Sequence, residues 1–238
     1  VFENLLASFN PETATTARKA TGSYYTPREI VDYMVTQSLK QYYITHLSDI
    51  EDIDSKLVIL LSPVDGEIPN PFSIEESKRI VKLTEALRIV DPAVGSGAFP
   101  MGILNKLVLV LSRVDRDNEL WREAQLQAVE NFTDPLLKQK FKEQINTQFR
   151  VKSSNYGRKL YLIQKCIYGI DIQPIAIEIA KLRFFISLLV DENIDKNKPN
   201  WGIEPLPNLD FKLMQGDSLI SEFLGINLDG GDENSYGK

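Results

Sequence analysis

Three acids close or follow short apolar runs in this chain: Asp91 in "LRIVDPAVGSGAFP", Asp171 in "CIYGIDIQP" and Asp217 in "KLMQGDSL". The first stands beside Gly95 and Gly97, which are one residue apart. Bare backbone there admits a ligand closely, because no Cβ intervenes. A phosphate would like that backbone and dislike the acid, since a carboxylate repels it through a medium less screening than water. The G-x-G-x-x-G fingerprint of dinucleotide sites also fails at its third position, which is Pro100. Its ribose-binding acid is expected about 20 residues on, whereas Asp171 lies much farther along. The constellation asks for a ligand that brings cations and hydrogen-bond donors.

S-adenosylmethionine is such a ligand. It carries an amino group, a sulfonium, a ribose diol and an adenine, and no phosphate. Asp91 at the first strand end can serve its cationic methionyl end, with Gly95 and Gly97 giving backbone approach. Asp171 can accept from both ribose hydroxyls, and Asp217 from the adenine amine. Ile172 and Leu219 can cover the adenine faces.

These acids share one site only if the elements around them place them so. "ALRIVD", "KCIYGIDI" and "LDFKLMQGDSL" read as three strands, and "GSGAFPMGILNKLVLVLSRV" and "QPIAIEIAKLRFFISLLV" as the helices between them. Apolar strands alternating with helices predict a parallel α/β sheet. Such sheets bind ligands beyond the carboxyl ends of their strands, which is where the three acids fall. Upstream, "TGSYYTPREIVDYMV" predicts a helix of about 17 residues, with Thr26 as cap, Pro27 in its first turn and Glu29 completing a capping box. "SKLVILL" fits helix or strand. "SIEESKRIVKL" opens on a second capping box, Ser73 and Glu76. Residues 115–160 predict inserted helices: one with Trp121, Ala124, Ala128 and Phe132 in a stripe, another opened by Asp134-Pro135 with Leu137, Phe141, Ile145 and Phe149 at four-residue steps. The expected division is a helical region over 1–86, a partial sheet domain over 87–225 and a loose tail over 226–238.

Composition narrows the class. The 238 residues are 43% hydrophobic and 25% charged, as in ordinary globular proteins. No apolar run is long enough for a membrane span. One cysteine excludes a disulfide framework and fits a reducing cytoplasm, the expected location. Cys166 reads as a buried strand residue and His46 as a surface helix residue. A net charge of −6 argues against this chain alone gripping nucleic acid, which needs clustered Lys and Arg.

"TGSYYTP", "DPAVGSGAFP", "YGIDIQPIAIEIAKLR" and "QGDSL" resemble, in order, the cofactor motifs of adenine-N6 DNA methyltransferases. The closest resemblance is to the modification part of Eco57I-like type II restriction–modification enzymes. It implies a partial Rossmann-like, S-adenosylmethionine-dependent methyltransferase fold with an N-terminal helical region and a helical insertion. It also implies that Tyr25, Thr26 and Pro27 border the methionyl side, and that Asp91, Ala93, Gly95 and Gly97 form the glycine loop. Asp171 and Ile172 would take ribose and adenine, and Asp217 and Ser218 the adenine edge.

The family's catalytic tetrapeptide, Asn or Asp followed by Pro-Pro-Tyr or Pro-Pro-Phe, is absent. Its nearest imitation, Asn70-Pro71-Phe72, reads as a turn leading into the Ser73 cap. The expectation is an N-terminal portion that recognises cofactor and does not methylate by itself, with double-stranded DNA held by other parts of a longer chain. Two other readings stay open: a non-catalytic Rossmann-like binding module, and part of an RNA or protein methyltransferase. The first strand would then have a free edge, expected to be covered by helices or by a second copy.

Overall fold

A computed structural model of the chain describes residues 9–10, 15–16, 26–63, 68–151, 154–192, 197, 199–202, 208–220, 222–223 and 226–227. The architecture is mixed α/β and mostly helical. Two short antiparallel pairs, β1 (Phe9–Asn10) with β2 (Thr15–Thr16) and β6 (Glu222–Phe223) with β7 (Ile226–Asn227), lie near the ends of the sequence. Between them run α1 (Arg28–His46), α2 (Ile53–Leu61), α3 (Ile74–Ala86), β3 (Ile89–Asp91), α4 (Ala98–Val114), α5 (Glu119–Glu130), α6 (Pro135–Val151), α7 (Ser154–Lys165), β4 (Ile167–Asp171), α8 (Pro174–Leu189) and β5 (Leu213–Gln215).

The strands β3, β4 and β5 form one parallel sheet in that order. Ile89 faces Ile167 and Val90 faces Tyr168, while Gly169 faces Leu213 and Ile170 faces Met214. Side chains alternate across a strand, so this register divides the sheet into two faces. Ile167, Gly169 and Leu213 are buried beneath helices. On the other face Val90 is 63% exposed. Among the described residues β3 pairs with β4 alone.

Helix α4 organises the core, packing against α1, α2, α3, α7 and β4. Its Gly102 permits the close approach of α1: a Cβ there would stand 2.6 Å from Val31 Cγ1. Beside this contact Lys106, almost fully buried, meets Asp32 at 2.7 Å. Tyr43 on α1 and Thr84 on α3 share a buried hydroxyl–hydroxyl hydrogen bond of 2.7 Å.

Local signals in the sequence account for most element boundaries. The Ser73 box forms as expected: Ser73 Oγ accepts from the Glu76 amide and Glu76 Oε2 from the Ser73 amide. Asn70 Oδ1 accepts from the Phe72 amide, the expected turn, and Phe72 is buried. Asp134 accepts from Leu136 and Leu137 to open α6, and Pro174 sits in the first turn of α8. "SKLVILL" resolves as helix. Cys166 is buried at the turn into β4, and burial pushes its thiol up to about 11.

One expectation needs correction. Helix α1 starts at Arg28 with Pro27 as its cap, and no side chain caps it. Pro27 is extended, with ψ 143°, and its carbonyl receives the Ile30 and Val31 amides. The Thr26 hydroxyl therefore sits one residue too early for the Thr26–Glu29 box. The region 115–160 also holds part of a third helix. α7 packs on α4 as well as on α8, and its buried Arg158 donates to the Asp115 and Arg116 carbonyls.

Candidate functional site

The carboxyl ends of β3, β4 and β5 converge, and the loops after them are tied to one another. After β3, the Asp91 Oδ1 accepts from the Ala93 amide at 3.1 Å. The chain then turns through Gly95 (φ 52°) and Gly97 (φ 84°) into α4. Both angles lie where residues with a Cβ pay a steric cost. The two glycines differ in what surrounds them. A Cβ on Gly97 would come within 3.2 Å of Ala180 Cβ on α8, so Gly97 lets helix and loop pack together. A Cβ on Gly95 would project into open space, with no other atom within 4 Å.

Asp171 at the end of β4 supports this loop directly. Its Oδ2 accepts from the Gly95 amide at 2.8 Å, and its Oδ1 from Gln173 at 2.8 Å. The loop after β5 closes over the first: Ser218 Oγ donates to the Pro92 carbonyl at 2.8 Å. Asp217 Oδ1 accepts from the Leu219 amide, an Asx turn that leaves the Asp217 side chain exposed. Ile172 and Leu219 are exposed on the same rim.

Thr26 and Pro27 lead into α1, whose Val31 and Val35 rest on Gly102 of α4, five residues beyond Gly97. Tyr25 lies outside the described residues.

The electrostatics of Asp91 set it apart. Its Oδ2 is buried and has no hydrogen-bond partner among the described residues. Burial raises its carboxyl above the ordinary range, the Ala93 amide opposes that shift, and the Asp171 charge adds to it. A buried acceptor without a donor costs free energy. A ligand donor or cation would remove that cost. The hydrogen bonds that Asp91, Asp171 and Asp217 accept among the described residues come from backbone amides. None of these acids is neutralised by a lysine or arginine there.

Sequence reasoning missed one contributor. Arg183 on α8 donates to the Ser96 carbonyl at 2.9 Å, holding the glycine turn from behind. Only the packing of α8 beside the loop reveals it; nothing in "AKLRFF" marks it.

These features define a mixed α/β protein, mostly helical, with a small parallel three-stranded sheet, compatible with a partial Rossmann-like fold. The chain is 28% identical over 211 residues to a protein of Methanocaldococcus jannaschii named "Putative type II restriction enzyme and methyltransferase". That match covers 87% of this chain and 15% of the relative. The chain therefore has a restriction–modification, methyltransferase-like relative, which supports a methyltransferase-related role. No family model and no solved structure matches. Among the described residues no cluster of ligating side chains could hold a metal ion, and no helix is long and apolar enough to cross a membrane.

Proposed function

We propose that the chain is the S-adenosylmethionine-binding portion of a DNA adenine-N6 methyltransferase in a restriction–modification system. The observation that carries this reading is the buried Asp91 Oδ2, without a hydrogen-bond partner among the described residues, in the same loop as Gly95, where a Cβ would meet no other atom within 4 Å. That pair suits a cationic, donor-rich ligand and is hostile to a pyrophosphate. The relative's name points the same way. When bound, S-adenosylmethionine supplies an electrophilic methyl group on its sulfonium.

The chain's own residues would bind and orient it. Asp91 and Ala93 would meet the methionyl end, with Thr26, Pro27 and Tyr25 bordering it. Gly95 and Gly97 would hold the loop close to it. Asp171, already fixing the Gly95 amide, would offer its remaining lone pairs to the ribose, with Ile172 beside the adenine. Asp217 and Ser218 would close the adenine edge. The sequence contains no Asn-Pro-Pro-Tyr tetrapeptide. A polar acceptor for the target amine and a surface for double-stranded DNA would come from other parts of a longer protein, and this portion would not methylate alone.

Calorimetry with S-adenosylmethionine, its demethylated product and NADH tests the reading. Binding of the first two, lost in Asp91→Asn and weakened in Asp171→Ala, is expected. Binding of NADH in their place would overturn it.

A further inference from the structure

Helix α8 has two apolar faces, and only one of them is used. Ala176, Ile177, Ala180, Phe184 and Leu188 are buried against the rest of the molecule. On the opposite side Ile175, Leu182, Ile186 and Val190 are 55%, 42%, 45% and 77% exposed. A helix apolar all round is expected to be covered all round.

The outer stripe has an ordered spacing. Ile175, Ile179, Leu182, Ile186 and Leu189 follow one another at steps of four, three, four and three, Ile179 and Leu189 being half-buried and the other three exposed. That is the a/d pattern of a coiled-coil seam. Ile179 and Ile186 fall at a, and Ile175, Leu182 and Leu189 at d. Isoleucine at a with leucine at d favours two parallel strands.

The flanks agree with a parallel pair of identical helices. In that arrangement each g position faces the e position five residues on in the partner. Here Glu178 (g) would face Arg183 (e), and Phe185 (g) would face Val190 (e), each twice by symmetry. Glu178 is exposed, its carboxylate touching only Lys181 of its own helix among the described residues. Arg183 uses one of its nitrogens on Ser96, and a guanidinium has further donors to give. An antiparallel pair centred on Leu182 would set the two Arg183 side chains against each other.

We propose that the outer face of α8 is a self-docking seam, occupied by α8 of a second copy in parallel orientation. Because the helix is already formed on the domain, docking avoids the cost of helix nucleation. Five seam residues span about 21 Å at 1.5 Å per residue. Such a seam is short of a standard interface of about 1,200 Å² or more, so the dimer is of the weak class. The same contact would bring the partner's carboxylate to Arg183, the residue that holds Ser96 in the glycine turn.

Sedimentation velocity on the 238-residue chain, at concentrations rising to about 1 mM, tests this. The expected result is a mass that climbs from 27.0 kDa toward twice that value. Leu182→Glu with Ile186→Glu should hold it at the monomer mass, with circular dichroism and Tm unchanged because both sites are exposed. Should that variant unfold, mild oxidation of Leu182→Cys decides instead, since parallel d positions face their own copies and would form a disulfide-linked dimer. Glu178→Lys should weaken self-association severalfold. A constant monomer mass, a dimer that survives the double substitution, or no crosslink through Cys at 182 would overturn the proposal.

Discussion

Asp91 is held in a state the folded protein does not favour by itself. Burial raises its carboxyl above the ordinary 3.8, so the native state keeps its proton to higher pH than the unfolded chain does. Stability then falls as pH rises from near 3.8 through the raised value, and stays lower at neutral pH. Asp91→Asn removes that penalty. Thermal melts at neutral pH should show a higher Tm for the variant, while calorimetry shows at least about tenfold weaker cofactor binding, about 1.4 kcal/mol. A variant that is both less stable and fully competent to bind would show that the partnerless oxygen is not the ligand's anchor. Gly97 makes the complementary case. Its φ of 84° and the 3.2 Å approach to Ala180 mean that Gly97→Ala should cost at least about 1–2 kcal/mol in chemical denaturation. The sequence identified both positions as a loop beside an acid. It did not separate the glycine that packs from the glycine that faces open space, because that difference lies in Ala180, 83 residues away.

At the level of elements, capping and burial set the numbers. The Ser73 box satisfies two amides at the start of α3, so Ser73→Ala should lower stability by about 1 kcal/mol. At the other end of α3, Glu85 receives the Gln125 side-chain amide at 3.2 Å and joins α3 to α5. Burial pushes the Glu85 carboxyl from 4.5 up to about 7, the Gln125 hydrogen bond pulls it back and the Asp115 charge adds to the rise. The native state therefore binds more protons than the unfolded chain between those values. Stability should drop on going from pH 4.5 to pH 7, by on the order of 2 kcal/mol at about 1.36 kcal/mol per pKa unit. Glu85→Gln should flatten that dependence in urea titrations across the same window. An unchanged slope would exclude Glu85 as its source. The capping boxes show what is readable locally. Ser73-x-x-Glu76 formed because its polar groups meet within one turn. Thr26-x-x-Glu29 did not, because Pro27 stays extended and passes the cap one residue on.

Across the whole molecule, charge and incomplete cover are the governing facts. With a net charge of −6, the chain by itself should fail to retard duplex DNA in gels at physiological salt, since such affinity comes from neutralised phosphates. Tight retention would place the DNA-binding surface on this chain and correct the proposal made above. The parallel sheet carries helices on one face, while Val90 and Met214 on the other remain largely exposed.

The amino-acid order by itself determined the alternation of strands and helices, the acids at three strand ends, the glycine turn and most helix starts. Each of these depends on neighbours within a turn or a strand. Tertiary structure alone decided which acid oxygen lacks a donor among the described residues, which glycine is packed, that Arg183 braces Ser96 and that Ile175, Leu182 and Ile186 on α8 are exposed. Those facts come from contacts between residues far apart in the chain, where burial and proximity rather than local propensity set the energy.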